Sequence, residues 1–413
     1  MNFMEITAYE SGSRMLHSRK TAWHRCACVL ATLTWFWCMA VAGVAAETNR
    51  GLSAGPHGEL LLNGKAFRGI GVNYYDAFVR LLDDGKLADV EAGFRTLASN
   101  QIPFVRFSAC GYWPINWRLY QTNRQEYFAR MGAVVKLAER HGIGLIPSLF
   151  WHQPTISDLV GEPVDQWGNA ASKTHKFMRA YVREVVTRFR DSLAIWAWEF
   201  GNEFNLPADL PNASTHRAPI VPSVGTAASR STRDDLTHAN IRTALAEFAR
   251  EVRRHDPQRL LISGNAFPRP SAWHQQHEGN WKWDAPEQWT EMLAADNPTP
   301  IASLSGRLYA TNDFVAVALA MAESRRLGKP LLIGEFGSPG AATDLALRQF
   351  REQLEALDTN GVPLAALWVF DFAGQAKDWN VTAENSRREQ LRLIAELNTR
   401  WRQAAPSTLN SPR

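Results

Sequence analysis

From residue 67 onward, short apolar runs and longer amphipathic stretches alternate eight times, and this rhythm restricts the fold more than any other property of the 413-residue chain. The apolar runs cover 67–73, 103–107, 144–150, 193–199, 259–263, 301–304, 331–334 and 364–370. Each precedes a stretch with helical spacing: 87–99, 124–139, 173–189, about 235–254, 286–294, 313–327, 343–357 and 384–397. Short apolar strands between amphipathic helices make a parallel sheet covered on its outer face. Eight such units close into a (β/α)8 TIM barrel, of class α/β, more naturally than into an open sheet. No Gly-x-Gly-x-x-Gly follows an early strand, which counts against a dinucleotide fold. A small hairpin, 60–63 with Gly64-Lys65, precedes the first strand.

Residues 1–46 stand apart from this rhythm. Arg14, Arg19, Lys20 and Arg25 precede an apolar stretch from Cys26 to Ala45, and Val44-Ala45-Ala46 offers small residues for cleavage. The pattern predicts a secretory signal peptide, with an uncleaved anchor as the alternative, and a secreted or periplasmic protein. Residues 47–413 are then a single catalytic barrel domain. Its one cysteine, Cys110, cannot form an internal disulfide, and at 45% apolar the chain needs neither disulfide nor metal to build a core. Losing four basic and two acidic side chains with the leader lowers the formal charge from +4 to +2. That is too weak to imply nucleic acid, and nothing implies an obligate protein partner.

In α/β barrels the loops after the strands build the site. The longest are 108–123, 151–172, 204–232 and 265–285, and three of them carry Trp. Trp113, Trp117, Trp167, Trp273, Trp281 and Trp283 suit sugar contact and core packing equally. The loop 204–232, rich in Pro, Ser, Thr and Ala, is expected to form a mobile rim. Two apolar runs end at an acid: Glu203 follows 193–199, and Glu335 follows 331–334. Carboxylates are rarely buried without a partner or a task. A pair at matching strand ends suits cleavage of an acetal, in which one group donates a proton and the other faces an oxocarbenium-like carbon. Glu199, four residues before Glu203, is a candidate supporting acid. His274, His277 and Glu278 lack the spacing of a zinc helix, so neither metal nor cofactor is expected.

The ordered set resembles the cellulase-like retaining glycoside hydrolases, glycosyl hydrolase family 5, over roughly residues 60–397. The resemblance implies Asn202-Glu203 as the acid/base pair ending strand four and Glu335 as the nucleophile ending strand seven. It implies Arg106 as a hydrogen-bonding partner of the nucleophile, Asn73 and Tyr74 as cleft-lining groups, His152 with Trp151 after strand three, and Trp368 under the sugar. Tyr309 would orient the nucleophile. At one place the chain departs from the family, with Arg307-Leu308-Tyr309 where His-x-Tyr is usual.

The expected function is retaining, endo-acting hydrolysis of a β-linked glucan or mannan polysaccharide or oligosaccharide, β-1,4 linkage following from the resemblance alone. A carbohydrate-binding barrel that has lost turnover and a transglycosylase using the same pair remain open alternatives.

Overall fold

The computed structural model describes residues 50–404 except 84, 311, 341 and 342; the expected leader lies outside the described residues. Eight parallel strands form the barrel: β1 (Gly69–Asn73), β2 (Phe104–Ser108), β3 (Gly144–Phe150), β4 (Ala197–Gly201), β5 (Leu260–Ile262), β6 (Leu304–Leu308), β7 (Leu331–Phe336) and β8 (Leu364–Leu367). Their order round the sheet is β5-β4-β3-β2-β1-β8-β7-β6. Between β5 and β6 the regular ladder stops. The seam is held instead by the Ala302 N–H and the Ser303 hydroxyl, which both donate to the Leu261 carbonyl, at 3.1 and 3.2 Å.

Eight helices cover the barrel: α1 (Leu87–Ser99), α2 (Arg124–His141), α3 (Lys173–Phe189), α4 (His238–His255), α5 (Pro286–Ala295), α6 (Asn312–Leu327), α7 (Asp344–Thr359) and α8 (Glu389–Ala404). The periodicity places α1 and α3 at their observed bounds. Helix α4 differs: Thr237, accepting from the Asn240 N–H, caps it, whereas Asp234 and Asp235 are taken up by Arg230 and Arg217. Strand β6 lies three residues later than the apolar run predicts. Its polar Ser305 and Arg307 alternate with Leu304 and Leu308, so the strand reads as amphipathic although every residue in it is buried.

Outward-facing residues such as Ile70, Val105, Leu145 and Ile333 join the helices in one large apolar core. Phe104, Ile146, Leu260, Leu332 and Ala366 form a second cluster with Leu52 and Leu60. Those two leucines belong to a small antiparallel sheet of Leu52–Ala54, Leu60–Leu62 and Lys65–Ala66. Because side chains alternate along a strand, the next inward-facing residues toward the strand C-termini are Asn73, Arg106, Glu199 and Arg307. A polar layer therefore sits directly above an apolar one.

The four long loops contain short helices, including Arg118–Thr122, Thr155–Val160 and Ala272–Glu278. The segment expected to be a mobile rim is fastened. Arg217 makes a two-pronged pair with Asp235, and Arg230 makes one with Asp158 on the neighbouring loop.

Candidate active site

Two local departures from regular structure aim the glutamates. Strand β4 ends at Gly201, and Glu203 two residues later takes a left-handed backbone, φ +53°. Its N–H donates to the Gly264 carbonyl (2.9 Å), and its carbonyl accepts from Gln153 Nε2 (3.1 Å). In β7 the register shifts between Ile333, opposite Gly306, and Glu335, opposite Arg307. One extra residue, Gly334, thus turns Glu335 inward, where strict alternation would have sent it out to the helices.

Arg106 organises the polar layer beneath. Fully buried, it donates from Nε to both Glu199 oxygens (2.9 and 3.0 Å), from Nη1 to Glu335 Oε1 and Asn73 Oδ1 (2.9 Å each), and from Nη2 to Asn202 Oδ1 (2.8 Å). Burial opposes its charge, and Glu199 and Glu335 more than offset that, so its pKa stands above the ordinary value. The Tyr309 hydroxyl donates to Glu335 Oε2 at 2.7 Å. Burial first, then Glu335, raises its pKa well above the usual phenol value, so it remains a donor.

The Arg307 Nε lies 3.4 Å from Glu203 Oε1 and 3.6 Å from Glu335 Oε1. Those two oxygens are therefore no further apart than the sum of the two distances, about 7 Å. Burial, then the facing Glu335, raises the Glu203 carboxyl above its ordinary value, with Arg307 and Arg106 opposing. One acid is thus biased to hold its proton beside a second acid that meets one hydroxyl and two guanidinium groups.

Both glutamates open into a cleft of about 880 Å³, within the range of small-molecule sites. Aromatic walls line it: Tyr75, Tyr112, Trp113, Trp151, Trp368, Phe372 and Trp379. The Trp368 indole donates to Gln375 Oε1 (2.7 Å), and Trp151 lies over the Arg106 guanidinium at 4.5 Å.

Of the residues singled out in the sequence, Glu203, Glu335, Asn202, Tyr309, Trp151 and Trp368 all border this cleft. Arg106 and Arg307 lie beneath it and reach the carboxylates from below. Three expectations need correction. Tyr74 does not line the cleft: it is fully buried against Phe94 and Phe370, its hydroxyl donating to Asp371. The adjacent Tyr75 takes that place. Asn73 is buried too, and its amide donates to the Gly334 carbonyl (2.9 Å), bracing the bulge rather than facing the opening. His152 borders a separate cavity of about 190 Å³, stacked flat on Tyr112, and burial pushes its pKa down to about 4.

Glu199 is out of reach of the cleft, wholly buried on Arg106. Trp117 and Trp167 are core residues, whereas Trp281 and Trp283 are exposed. Sequence reasoning passes over Asp76, Arg80 and Gln375, all in the cleft wall. Only their position after strands β1 and β8 could have marked them.

The cellulase family model, glycosyl hydrolase family 5, matches residues 64–374. A probable mannan endo-1,4-beta-mannosidase A of Aspergillus clavatus is 32% identical over 129 residues, 28% of this chain and 33% of that protein. One from Aspergillus flavus is 37% identical over 81 residues, 18% of this chain and 20% of that protein. The chain thus spans about a fifth to a third of the length of these curated relatives. The solved endo-1,4-beta-mannanase of Rhizomucor miehei superposes with a TM-score of 0.62 at 14% identity, covering 85% of this chain and 99% of that one. A family 5 mannosidase from the same fungus gives 0.63 at 10% identity, covering 87% and 100%. Such low identities speak for the barrel alone, but the family match runs through every strand that carries the site. The chain belongs to glycosyl hydrolase family 5.

Proposed function

We propose that this enzyme hydrolyses β-1,4-linked mannan with retention of configuration, cutting within the chain, with Glu335 as nucleophile and Glu203 as acid/base. The observation that carries the proposal is the pair of carboxylates, within about 7 Å of each other, on the floor of an aromatic cleft. Retaining pairs stand about 5–5.5 Å apart and inverting pairs about 6.5–9.5 Å, and facing oxygens within about 7 Å are compatible with the shorter spacing. Mannan is favoured because the curated relatives are named as mannan endo-1,4-beta-mannosidases. An exported enzyme, as the leader pattern suggests, would meet such a polymer outside the cell.

In the first step a Glu335 oxygen attacks the anomeric carbon as the bond to the leaving oxygen breaks, and Glu203 gives its proton to that oxygen. The negative charge passes from Glu335, now an ester, to Glu203. With its like-charged neighbour neutralised, Glu203 then takes a proton from water, which attacks the same carbon and frees Glu335.

The test is a panel of β-mannan, β-glucan and xylan, with product sizes and anomeric configuration followed over time. Mannan should be cut to mixed oligosaccharides that first appear as the β-anomer. Preferred cleavage of glucan, release of monosaccharide alone, or α-anomers would each overturn the corresponding part. Glu335→Gln should abolish turnover while leaving polymer binding; a barrel that only binds would show no turnover to lose, and a transglycosylase would build longer products.

A further inference from the structure

Arg307 occupies the position where the family resemblance implies a histidine, and one of its donors is uncommitted. The side chain is 5% exposed. Its Nη2 donates to Asn202 Oδ1 (2.7 Å) and the Gly264 carbonyl (2.8 Å), and its Nη1 to the Gly306 carbonyl (3.1 Å). With a further bond from Nη1 to the Asn265 carbonyl (3.4 Å), they tie β6 to the segment after β5 and to the end of β4. The Nε–H, by contrast, has no hydrogen-bond partner among the described residues, yet its nitrogen lies at nearly equal distances from an oxygen of each acid. A buried donor without a partner is costly, so its persistence calls for a reason. Catalytic hydrogen bonds are often long before substrate binds and tighten only in the complex.

We propose that Arg307 is a positioning residue whose Nε–H serves Glu335 and Glu203 in turn, as negative charge passes from the nucleophile to the acid/base. The proposal rests on the roles given to those glutamates above. In the first step Glu335 gives up its charge to the new C–O bond while Glu203 acquires one by losing its proton. A cation placed between them meets the same net charge before and after, and has no need to move. Arg106 cannot do this, because it bonds Glu335 but not Glu203. The other groups facing the pair are Glu199, held on Arg106, and the Tyr309 hydroxyl, which serves Glu335 alone.

The test compares R307Q, which removes the cation, with R307K, which keeps it. Without the charge Glu203 loses an opposing influence on its proton, so the alkaline limb of the kcat/KM profile of R307Q should move up by about 1 pH unit. Its maximum should fall on the order of 10²-fold. R307K should keep the limb near its wild-type position while kcat falls. A limb unmoved in R307Q, or moved as far in R307K, would show that Arg307 only fastens the barrel. Should R307Q fail to fold, R307M, which also removes the cation but keeps the length of the side chain, takes its place, with the same displacement required. If the wild type cleaves no β-glycan, the proposed function fails instead. The Arg307 claim is then read from the infrared titration of the Glu203 carboxyl in wild type, R307Q and R307K, with the same displacement in R307Q required.

Discussion

Glu203 is held against its preference in both backbone and side chain. A left-handed backbone costs an L-residue about 1–2 kcal/mol, and the Gly264 carbonyl and Gln153 amide bind the peptide groups on either side of it. Its carboxyl is partly desolvated beside a second acid and so keeps its proton above the ordinary carboxylate range. Strain and pKa have a common product: a proton donor aimed from β4 toward the nucleophile on β7. Proton donation matters most when the departing oxygen is a poor leaving group. Glu203→Ala should therefore lower kcat/KM on mannan about 10²–10⁴-fold but leave the first step on a dinitrophenyl mannoside nearly intact. Added azide should restore turnover of that glycoside and yield the β-mannosyl azide, because a small anion fits where the carboxylate was removed. Equal losses on both substrates, or an α-azide, would contradict the acid/base role.

At the scale of elements, irregular features of the barrel matter as much as its repeat. The bulge at Gly334 places Glu335 beside Arg307, and a Cβ there would come within 2.5 Å of the Arg307 Nη1, so a side chain at this position would push against the buried guanidinium. Strand β1 shows a second irregularity. Its ladder with β2 pairs only Val72 and Asn73, and the Ile70 N–H and carbonyl are met instead by the Asn398 amide on α8, at 2.8 Å each. The C-terminal helix thus fills a gap in the sheet that holds Asn73 and, through it, the bulge. Asn398→Leu keeps the volume but strands two buried backbone groups, each worth about 1–3 kcal/mol. The urea midpoint should fall by the equivalent of about 2–5 kcal/mol with an unchanged slope. A change below about 0.5 kcal/mol, in the range of an ordinary surface substitution, would mean that those backbone groups find other partners.

For the molecule as a whole, the eightfold alternation and the acids at the ends of runs four and seven were legible in the sequence, because short-range periodicity encodes them. What stayed hidden depends on contacts across the barrel. Whether Tyr74 or Tyr75 faces the cleft is decided on α1, where the hydrogen of Gly93 leaves room for the Tyr74 hydroxyl. The separation of His152 from the glutamates, the pairing of Glu199 with Arg106, and the reach of Arg307 likewise join residues far apart in the chain. These cross-barrel contacts gather buried charge at one end of the barrel, and that has a cost for the whole fold. Glu203 binds its proton more readily folded than unfolded, since burial and Glu335 raise its carboxyl. By linkage, its contribution favours the folded state fully below the unfolded carboxyl range and is lost as pH rises through the folded value. Glu203→Gln keeps the shape without the titration. It should therefore be more stable than the wild type by about 1 kcal/mol near pH 8, with the gain shrinking toward about pH 4, where the wild-type carboxyl is neutral. Urea unfolding at both pH values measures the difference. A gain that is equal at both, or larger in acid, would mean that the folded protein does not hold the Glu203 proton more tightly than the unfolded chain, and would remove the physical basis for its role as the acid.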